Sequence, residues 1–408
     1  MLLKLAFRNI QRNFRRSLIT VLAIAVGLSV LILSLTLRTG QYKQMIDSGV
    51  SQIAGHVVVQ DPAWQVERKA EQVVDGQAAL VKVLSERFPS AVITSRSFFG
   101  GLLASSSGPT FASLVAFEPE TEAKISDFKE MLVEGEWIND SKGVLIGASL
   151  AEKLDVSLGD KLVFTGQFGA EMSSKLFRVT GIFKTGVDEM DSFTAFVHIE
   201  AAQELMQKPD SVHQLALHFD NVKIGERNVG AIREIVTNAS PESAVLPWQE
   251  ALPEIVKMVE IDVMSNEVIN AVLLIIVGMG VLNTMLMSVL ERIREFGVLL
   301  ALGLTPGKLA RLVLMEGMVL GVIGAVVGLL LGTAISYPMI THGIDLSAQM
   351  GTNSDVAGAV VSSVMKGIYD WPRMGLYALL VIVLSVLSAI YPALKLMSMK
   401  PVEAMRHQ

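Results

Sequence analysis

Four long apolar runs constrain the fold of this 408-residue chain more than any other feature of its sequence. They cover residues 17–37, 268–290, 309–335 and 374–394, the third being apolar from Gly317 onward. A helix needs about 20 apolar residues to cross a hydrocarbon core of ~30 Å, and each run is long enough. A mean hydropathy of +0.49 agrees with this, as does a charged fraction of 18%. The sequence therefore predicts a membrane protein with four transmembrane α-helices.

Basic residues near the ends of these runs predict the orientation. Lys and Arg concentrate in cytoplasmic segments close to transmembrane helices. Here they cluster before the first run, between the second and third, and after the fourth: Lys4, Arg8, Arg12, Arg15, Arg16, Arg292, Arg294, Lys308, Arg311, Lys395, Lys400 and Arg406. Residues 41–265 instead carry 19 Lys and Arg against 32 Asp and Glu. Both termini are therefore expected in the cytoplasm, with the acidic segment outside.

Together these features predict an order of segments. The order is a cytoplasmic amphipathic helix at 1–16, transmembrane helix 1 at 17–37, a stalk and extracytoplasmic α+β domain at 38–267, transmembrane helix 2 at 268–290, a charged cytoplasmic segment at 291–308, transmembrane helix 3 at 309–335, an extracytoplasmic loop at 336–373, transmembrane helix 4 at 374–394 and a cytoplasmic tail at 395–408. The α+β prediction rests on short β-rich runs at 56–60, 161–165, 177–182, 193–198 and 214–219 that alternate with helical stretches at 77–88, 148–154, 200–207 and 225–236.

The sequence contains no recognisable motif of catalysis or cofactor binding. The stretch from Gly303 to Leu309 comes nearest to a phosphate-binding loop, but its glycines are one residue too close and Leu309 replaces the Ser or Thr that would hold Mg²⁺. No cysteine is present, and the six histidines are scattered. His213 and His218 are expected to be ordinary surface or part-buried residues. We therefore predict no catalytic residue, no metal, no cofactor and no nucleic-acid partner for this chain.

The predicted helices contain few polar groups. Besides Ser and Thr, only Asn270, Asn283 and Glu316 stand out, and Glu316 is expected to pair with Arg311 or Arg292. Ionisable residues inside a membrane usually mark a solute path, so their scarcity argues against an aqueous pore. The third run also carries glycines on one stripe, which predicts close helix packing within one subunit in preference to a dimer seam: Gly317, Gly321, Gly324, Gly328 and Gly332.

The segment from Gly280 to Gly303 has the most specific pattern in the chain, with Glu-Arg-Ile-Arg-Glu-Phe-Gly at 291–297. It closely resembles the FtsX-like permease family, the membrane subunits of ABC transporters of the macrolide-exporter (MacB) and lipoprotein-releasing (LolC/LolE) types. The C-terminal Tyr391-Pro-Ala and Pro401-Val-Glu-Ala-Met-Arg are similar to the end of these proteins. Residues 143–160 and 181–191 resemble the family's periplasmic core domain.

The resemblance implies a bacterial inner-membrane permease with a separate ABC ATPase subunit that binds ATP and Mg²⁺. It implies a dimer with a second copy or a paralogue. It further implies that the charged cytoplasmic segment couples to the ATPase through Glu291, Arg292, Arg294, Glu295, Phe296 and Gly297. A short helix with both charge signs beside an apolar face is suited to such docking. The chain alone is then expected to lack ATPase activity.

By resemblance, such a permease transmits ATPase movement to its outside domain without passing cargo through the bilayer. Apolar stalk residues next to the outer leaflet are candidates for contact with acyl chains of membrane lipid or lipid-linked cargo: Met45, Ile46, Val50, Ile53, Met258 and Val259. The same residues could simply pack the two stalk helices together. The length of the 341–373 loop favours lipoprotein extraction with a periplasmic carrier. Efflux of a drug, peptide or toxin through a periplasmic adaptor, and control of an extracytoplasmic hydrolase, remain as alternatives.

Overall fold

The computed structural model describes residues 8, 9, 11, 12 and 14–397. Most of the predicted amphipathic helix at 1–16 and most of the tail at 395–408 lie outside these residues. The chain divides into two compact units. The helical unit contains the residues up to Tyr42, Glu260–Ile344 and the residues from Val364 onward. The sheet unit contains Lys43–Val259 and Asp345–Ser363.

The helices of the described residues are α1 (Phe14–Gly49), α2 (Trp64–Glu67), α3 (Gln77–Arg87), α4 (Pro119–Glu122), α5 (Ala148–Leu154), α6 (Asp188–Phe193), α7 (Ile199–Met206), α8 (Val222–Ala239), α9 (Trp248–Ala251), α10 (Pro253–Glu291), α11 (Ile293–Ala301), α12 (Pro306–Thr341), α13 (Ser347–Met350) and α14 (Trp371–Met397). A π-helical turn, Val50–Ala54, continues α1. Four of these helices are long and apolar enough to cross a membrane, by length and composition: α1 with its π-helical turn, α10, α12 and α14. They contain the four runs predicted from the sequence.

The helical unit is held together by aliphatic side chains from all four long helices. Its core includes Ile24 and Leu28 from α1, Val281 from α10, Val313 from α12 and Val381 from α14, all essentially excluded from solvent. Lipid does not favour the association of apolar helices as water does, so close van der Waals contact must hold these helices together.

The glycine stripe on α12 makes that close contact possible. A Cβ placed on Gly317 or Gly321 would come within 2.9 Å of α14 atoms of Ala389 or Ser385. A Cβ on Gly324, Gly328 or Gly332 would come within 2.9 Å of side chains on α1. Such distances are shorter than real Cβ contacts, so these positions require glycine. The structure thus places the whole stripe against two helices of the same chain.

A large mixed sheet organises the second unit. Its strands are β1 (Val57–Gln60), β3 (Val92–Ser105), β4 (Gly108–Phe117), β5 (Leu132–Gly135), β6 (Gly143–Gly147), β7 (Lys161–Phe168), β8 (Glu171–Phe183), β9 (Thr194–His198), β11 (Gln214–His218) and β12 (Ala244–Pro247), and short strands elsewhere are β2 (Val74–Asp75), β10 (Ser211–Val212), β13 (Ile344–Asp345), β14 (Asn353–Val356), β15 (Ala359–Ser362) and β16 (Val364–Met365). The strand order is β12-β1-β11-β3-β4-β9-β6-β8-β5, and β7 pairs with both β3 and β8. The main core packs α3, α5, α7 and α8 against this sheet.

Every strand and helix predicted from local pattern in the outside domain is present, with shifts of a few residues at the ends. The β3–β4 hairpin was missed, although it is paired over ten positions from Arg96↔Phe117 to Ser105↔Gly108. Its Gly-Gly and Ser-Ser-Ser-Gly stretches are typical of loops. Long-range pairing with β11, β7 and β9 overrides that local preference.

The expectation for His213 and His218 was wrong, because both are buried. The His213 ring stacks on Trp64 with 4.1 Å between centroids, and its Nδ1 accepts a hydrogen bond from the Phe98 amide at 3.0 Å. Burial lowers the pKa of His213 to about 4. The ring is therefore neutral near pH 7 and works as a packing and acceptor group of the core.

Candidate functional site

The charged segment 291–308 folds as a short helix between two long ones. Helix α10 ends at Glu291, α11 follows after one residue, and α12 begins at Pro306. Gly303 has φ +94°, which only glycine adopts without strain, and Pro306 occupies the first helical position, where a missing N–H costs nothing. The stretch that resembles a phosphate-binding loop is therefore the turn between α11 and α12.

A buried ion-pair network fixes the start of α11. Arg292 is 8% exposed, and its Nη1 donates to Glu316 Oε1 at 3.2 Å while its Nε donates to Glu295 Oε2 at 3.1 Å. The Arg292 guanidinium also lies 5.0 Å from the centroid of the Phe296 ring. Glu316 accepts a further bond from Asn9 Nδ2 at 2.6 Å. A guanidinium satisfied by carboxylates on two helices holds α11 in one position relative to α12.

Two more ion pairs connect the N-terminal residues to this segment. Arg12 pairs with Glu295, and Arg16 pairs with Glu291. Each of these pairs is at least partly exposed, so each contributes at most about 1 kcal/mol. The sequence predicted that Glu316 pairs with Arg292 or Arg311, and in the structure its partner is Arg292. The acidic residues Glu291 and Glu295 therefore position α11 from within the chain.

The six predicted coupling residues differ in burial, and Glu295, the partner of Arg292 and Arg12, is of intermediate exposure. Arg292, Phe296 and Gly297 are buried in the helical unit, whereas Glu291 and Arg294 are exposed. The exposed side of α11 also presents Val298 and Leu302, which are 51% and 79% exposed. Val298 lies four residues after Arg294 on α11, and Leu302 caps the end of the helix with its amide bonded to the Val298 carbonyl at 3.0 Å, so the three residues follow one another at helical spacing. We call Arg294, Val298 and Leu302 the α11 ridge. Arg294 is one of the predicted coupling residues, and Leu302 lies in the 299–304 stretch expected next to them. Val298 was missed because it is part of a continuous apolar run.

The predicted cargo-contact residues also divide by burial. Val50 and Met45 are buried, and Ile46, Ile53 and Val259 pack partly against a cluster that includes Trp248, Leu252 and Ile255. Gly49 lets α1 approach α10 so closely that a Cβ there would lie 2.4 Å from Ile255 Cδ1. Met258 is the exposed member at 47%. Helix packing therefore accounts for most of these side chains, and their contact with cargo stays a prediction.

An exposed apolar face on the sheet was not predicted from the sequence. Paired residues of the neighbouring strands β4, β3, β7 and β8 form two rows across the sheet. In that strand order the rows are Phe111-Leu102-Thr165-Ser174 and Pro109-Ala104-Val163-Leu176. The large apolar side chains of these rows are exposed, together with Met172 on the same strand as Leu176. The alternate residues Leu103, Phe164 and Phe177 are buried in the core on the other side. We call Leu102, Phe111, Val163, Met172 and Leu176 the outer sheet face; an exposed contiguous apolar surface of this kind is typical of protein interaction sites.

Comparison with known families accounts for nearly all of the chain. Residues 17–251 match the MacB-like periplasmic core domain. Residues 267–401 match the FtsX-like permease C-terminal family. The first match covers α1 from Ser17 onward and most of the sheet unit. The second covers α11, α12, α14 and the part of α10 from Glu267 onward.

Individual relatives show similarity over the full length. The chain is 23% identical to the lipoprotein-releasing system transmembrane protein LolC of Xylella fastidiosa (strain 9a5c), over 96% of this chain and 94% of that protein. It is 21% identical to LolC of Neisseria meningitidis serogroup B, with the same shares covered. Among solved structures, the periplasmic region of MacB from Actinobacillus actinomycetemcomitans is similar at a TM-score of 0.37 and 12% identity, over 51% of this chain and 94% of that chain.

Proposed function

Since the chain belongs to the FtsX-like permease family with a MacB-like periplasmic core domain, we propose that it extracts lipoprotein or another lipid-linked cargo from the outer leaflet of the inner membrane. It is a membrane protein and an ABC transporter permease of the LolC/MacB type, with a large extracytoplasmic domain. Permeases of this type work with ATPase subunits. Here ATP and Mg²⁺ are bound by a separate ATPase, the permease acts as a dimer with itself or a paralogue, and both termini face the cytoplasm.

The observation that carries this proposal is the alignment of almost the whole chain with proteins named for lipoprotein release. The length of the region between α12 and α14 likewise favours lipoprotein release over efflux. The MacB-like match of the periplasmic core supports efflux as the second candidate. The two candidates differ in their cargo and in the outside protein that receives it.

The chemistry of the long helices supports a mechanism without a channel. In the described part of the helical unit, the buried Glu316 is paired with Arg292, and Asn270 Nδ2 donates to Tyr377 Oη at 2.9 Å. These groups are used in packing contacts and offer no polar route for a solute. ATP-driven movement of α11 therefore has to be passed along the helices to the sheet unit, where the cargo is handled.

Cargo contact can be tested at the stalk with photo-crosslinking amino acids. A probe at Met258, which is exposed, is expected to capture a fluorescent triacylated lipoprotein in proteoliposomes, and capture is expected to fall when ATP is added. A probe at Val50 is the matched control, because that side chain is 3% exposed within the same stalk. Crosslinks found only at mid-helix positions such as Leu274 or Val326 would overturn the extraction mechanism and favour a route between the helices.

The outer sheet face suggests where an extracytoplasmic carrier docks. Replacing Leu102 and Phe111 by Asp places charge in the centre of this face, and transfer of cargo to a carrier is expected to fall by about tenfold or more, as for central apolar residues of interfaces. Val66→Asp is the control, since Val66 is 88% exposed elsewhere in the sheet unit. Transfer that is unchanged in the double variant, or equally reduced in the control, would show that this face is not the docking site.

A further inference from the structure

The π-helical turn Val50–Ala54 is fastened to the sheet by side chains that bind its backbone. Arg96 Nη2 donates to the Ser51 carbonyl at 2.6 Å, and Gln214 Nε2 donates to the Ile53 carbonyl at 2.7 Å. Arg96 and Gln214 are opposite each other in the paired strands β3 and β11. The last carbonyls of a helix have no partner within the helix, and π-helical segments occur often at functional sites. The end of α1 is thereby attached to the centre of the sheet.

A second segment is attached to the same turn through Gln52. Gln52 Nε2 donates to the Val360 carbonyl at 2.9 Å, and the Val360 amide donates to Gln52 Oε1 at 2.7 Å. One buried side-chain amide therefore reproduces the paired hydrogen bonds that a neighbouring strand would make. Both residues are almost excluded from solvent. This geometry requires an amide of this length, since a carboxylate lacks the donor and an aliphatic side chain lacks both bonds.

The partner of Gln52 is a stiff hairpin. Strands β14 and β15 are joined by Ala357 and Gly358, and both of these residues have positive φ, as in the two-residue turns that match strand twist. The Gly358 amide donates to Asp355 Oδ1 at 3.0 Å. At the start of β14, Asn353 Nδ2 donates to the Thr185 carbonyl. The hairpin is part of the chain that leads from α12 to α14.

We propose that Gln52 is a positioning residue that makes the 345–363 hairpin segment and the end of α1 move as one body during transport. The helices α12 and α14 flank the hairpin in the chain. Through the contact between Gln52 and Val360, their movement reaches the π-helical turn at the end of α1. Arg96 and Gln214 pass that displacement to β3 and β11. The role of Gln52 in transport rests on the proposed function, whereas the contact with Val360 does not.

The proposal can be tested with Gln52→Leu in the full chain, purified with its ATPase and reconstituted in proteoliposomes. Leu keeps much of the volume and removes both hydrogen bonds. The matched control for the exchange measurement is Gln214→Leu, which removes a bond to the same turn and leaves the hairpin contact intact. The measurements are deuterium exchange of peptides covering 353–362, and the lipoprotein released per ATP hydrolysed.

Gln52→Leu is expected to speed exchange in the Val360 peptides and to lower the cargo released per ATP by about 2- to 30-fold, the range found when coupling networks are disrupted. Gln214→Leu is expected to leave the exchange of these peptides unchanged. Faster exchange with normal release per ATP would overturn the positioning role, and unchanged exchange would overturn the contact itself. A wild-type complex that releases no lipoprotein would refute the proposed function, while the exchange result would still decide the contact.

Discussion

A double variant with Val298→Asp and Leu302→Asp is expected to insert and fold normally, yet to lose its association with the ATPase. Both side chains are exposed on one side of α11 and contribute little to the packing of the helical unit. If the α11 ridge docks in a groove of the ATPase, two carboxylates must then be desolvated without partners. If these two residues are hot spots of that interface, their loss costs about 2 kcal/mol or more, so affinity should fall by about 30-fold or more.

Co-purification of the ATPase with the permease measures this effect, and ATP-dependent cargo release measures its consequence. The Leu102→Asp, Phe111→Asp variant is the control, because it also replaces two exposed apolar residues by Asp, but in the sheet unit. It is expected to retain the ATPase. Normal ATPase association in the α11 variant would show that coupling runs through another surface.

The ridge gives a sharper test than charge reversal in the ion-pair network. Reversing the charges of Arg292 and Glu295 together keeps an ion pair between these two positions. It also places a carboxylate at position 292 against the buried Glu316. Two carboxylates at this distance repel each other. Loss of transport in that variant would then reflect damage to the helical unit as well as to ATPase docking.

The largest loss of stability is expected from Arg96→Met. Arg96 is 1% exposed and forms a two-bond pair with Glu122, with Nε–Oε2 at 3.0 Å and Nη2–Oε1 at 2.8 Å. Its removal leaves a buried carboxylate without a cation, which costs about 3–5 kcal/mol. For a unit of this size that corresponds to a fall in melting temperature on the order of 10 °C. Tryptophan fluorescence of the full chain in detergent reports this, since Trp64, Trp137 and Trp248 lie in the sheet unit.

A second variant separates the buried charge from the loss of packing. Arg96→Met combined with Glu122→Leu removes both charges, and such replacements are often neutral or stabilising. The double variant is therefore expected to recover most of the lost stability. If it melts as low as Arg96→Met alone, the hydrogen bond from Arg96 to Ser51 is the dominant contribution of this arginine.

Local pattern predicted a large part of this protein, because long apolar runs and short periodic segments depend only on neighbouring residues. The four long helices, several of the strands and helices between the first two of them, and the pairing of Glu316 with either Arg292 or Arg311 could be predicted in this way. Glycine spacing likewise predicted the stripe on α12, although it could not say that Gly317 and Gly321 meet α14 while the others meet α1.

Other features depend on contacts between residues far apart in the chain. The β3–β4 hairpin and the outer sheet face require pairing with β7 and β8. The hairpin segment at 345–363 is bound to the sheet unit through Gln52, which is more than 300 residues away from Val360 in the chain. Tertiary packing also decided which charged and apolar residues are accessible. Phe296 and Val50 are buried whereas Val298 and Met258 are exposed, because one face of a helix packs against neighbouring elements and the opposite face does not. Sequence by itself therefore determined the four long apolar helices and the domain between the first two of them, and only the tertiary structure decided which residues are exposed.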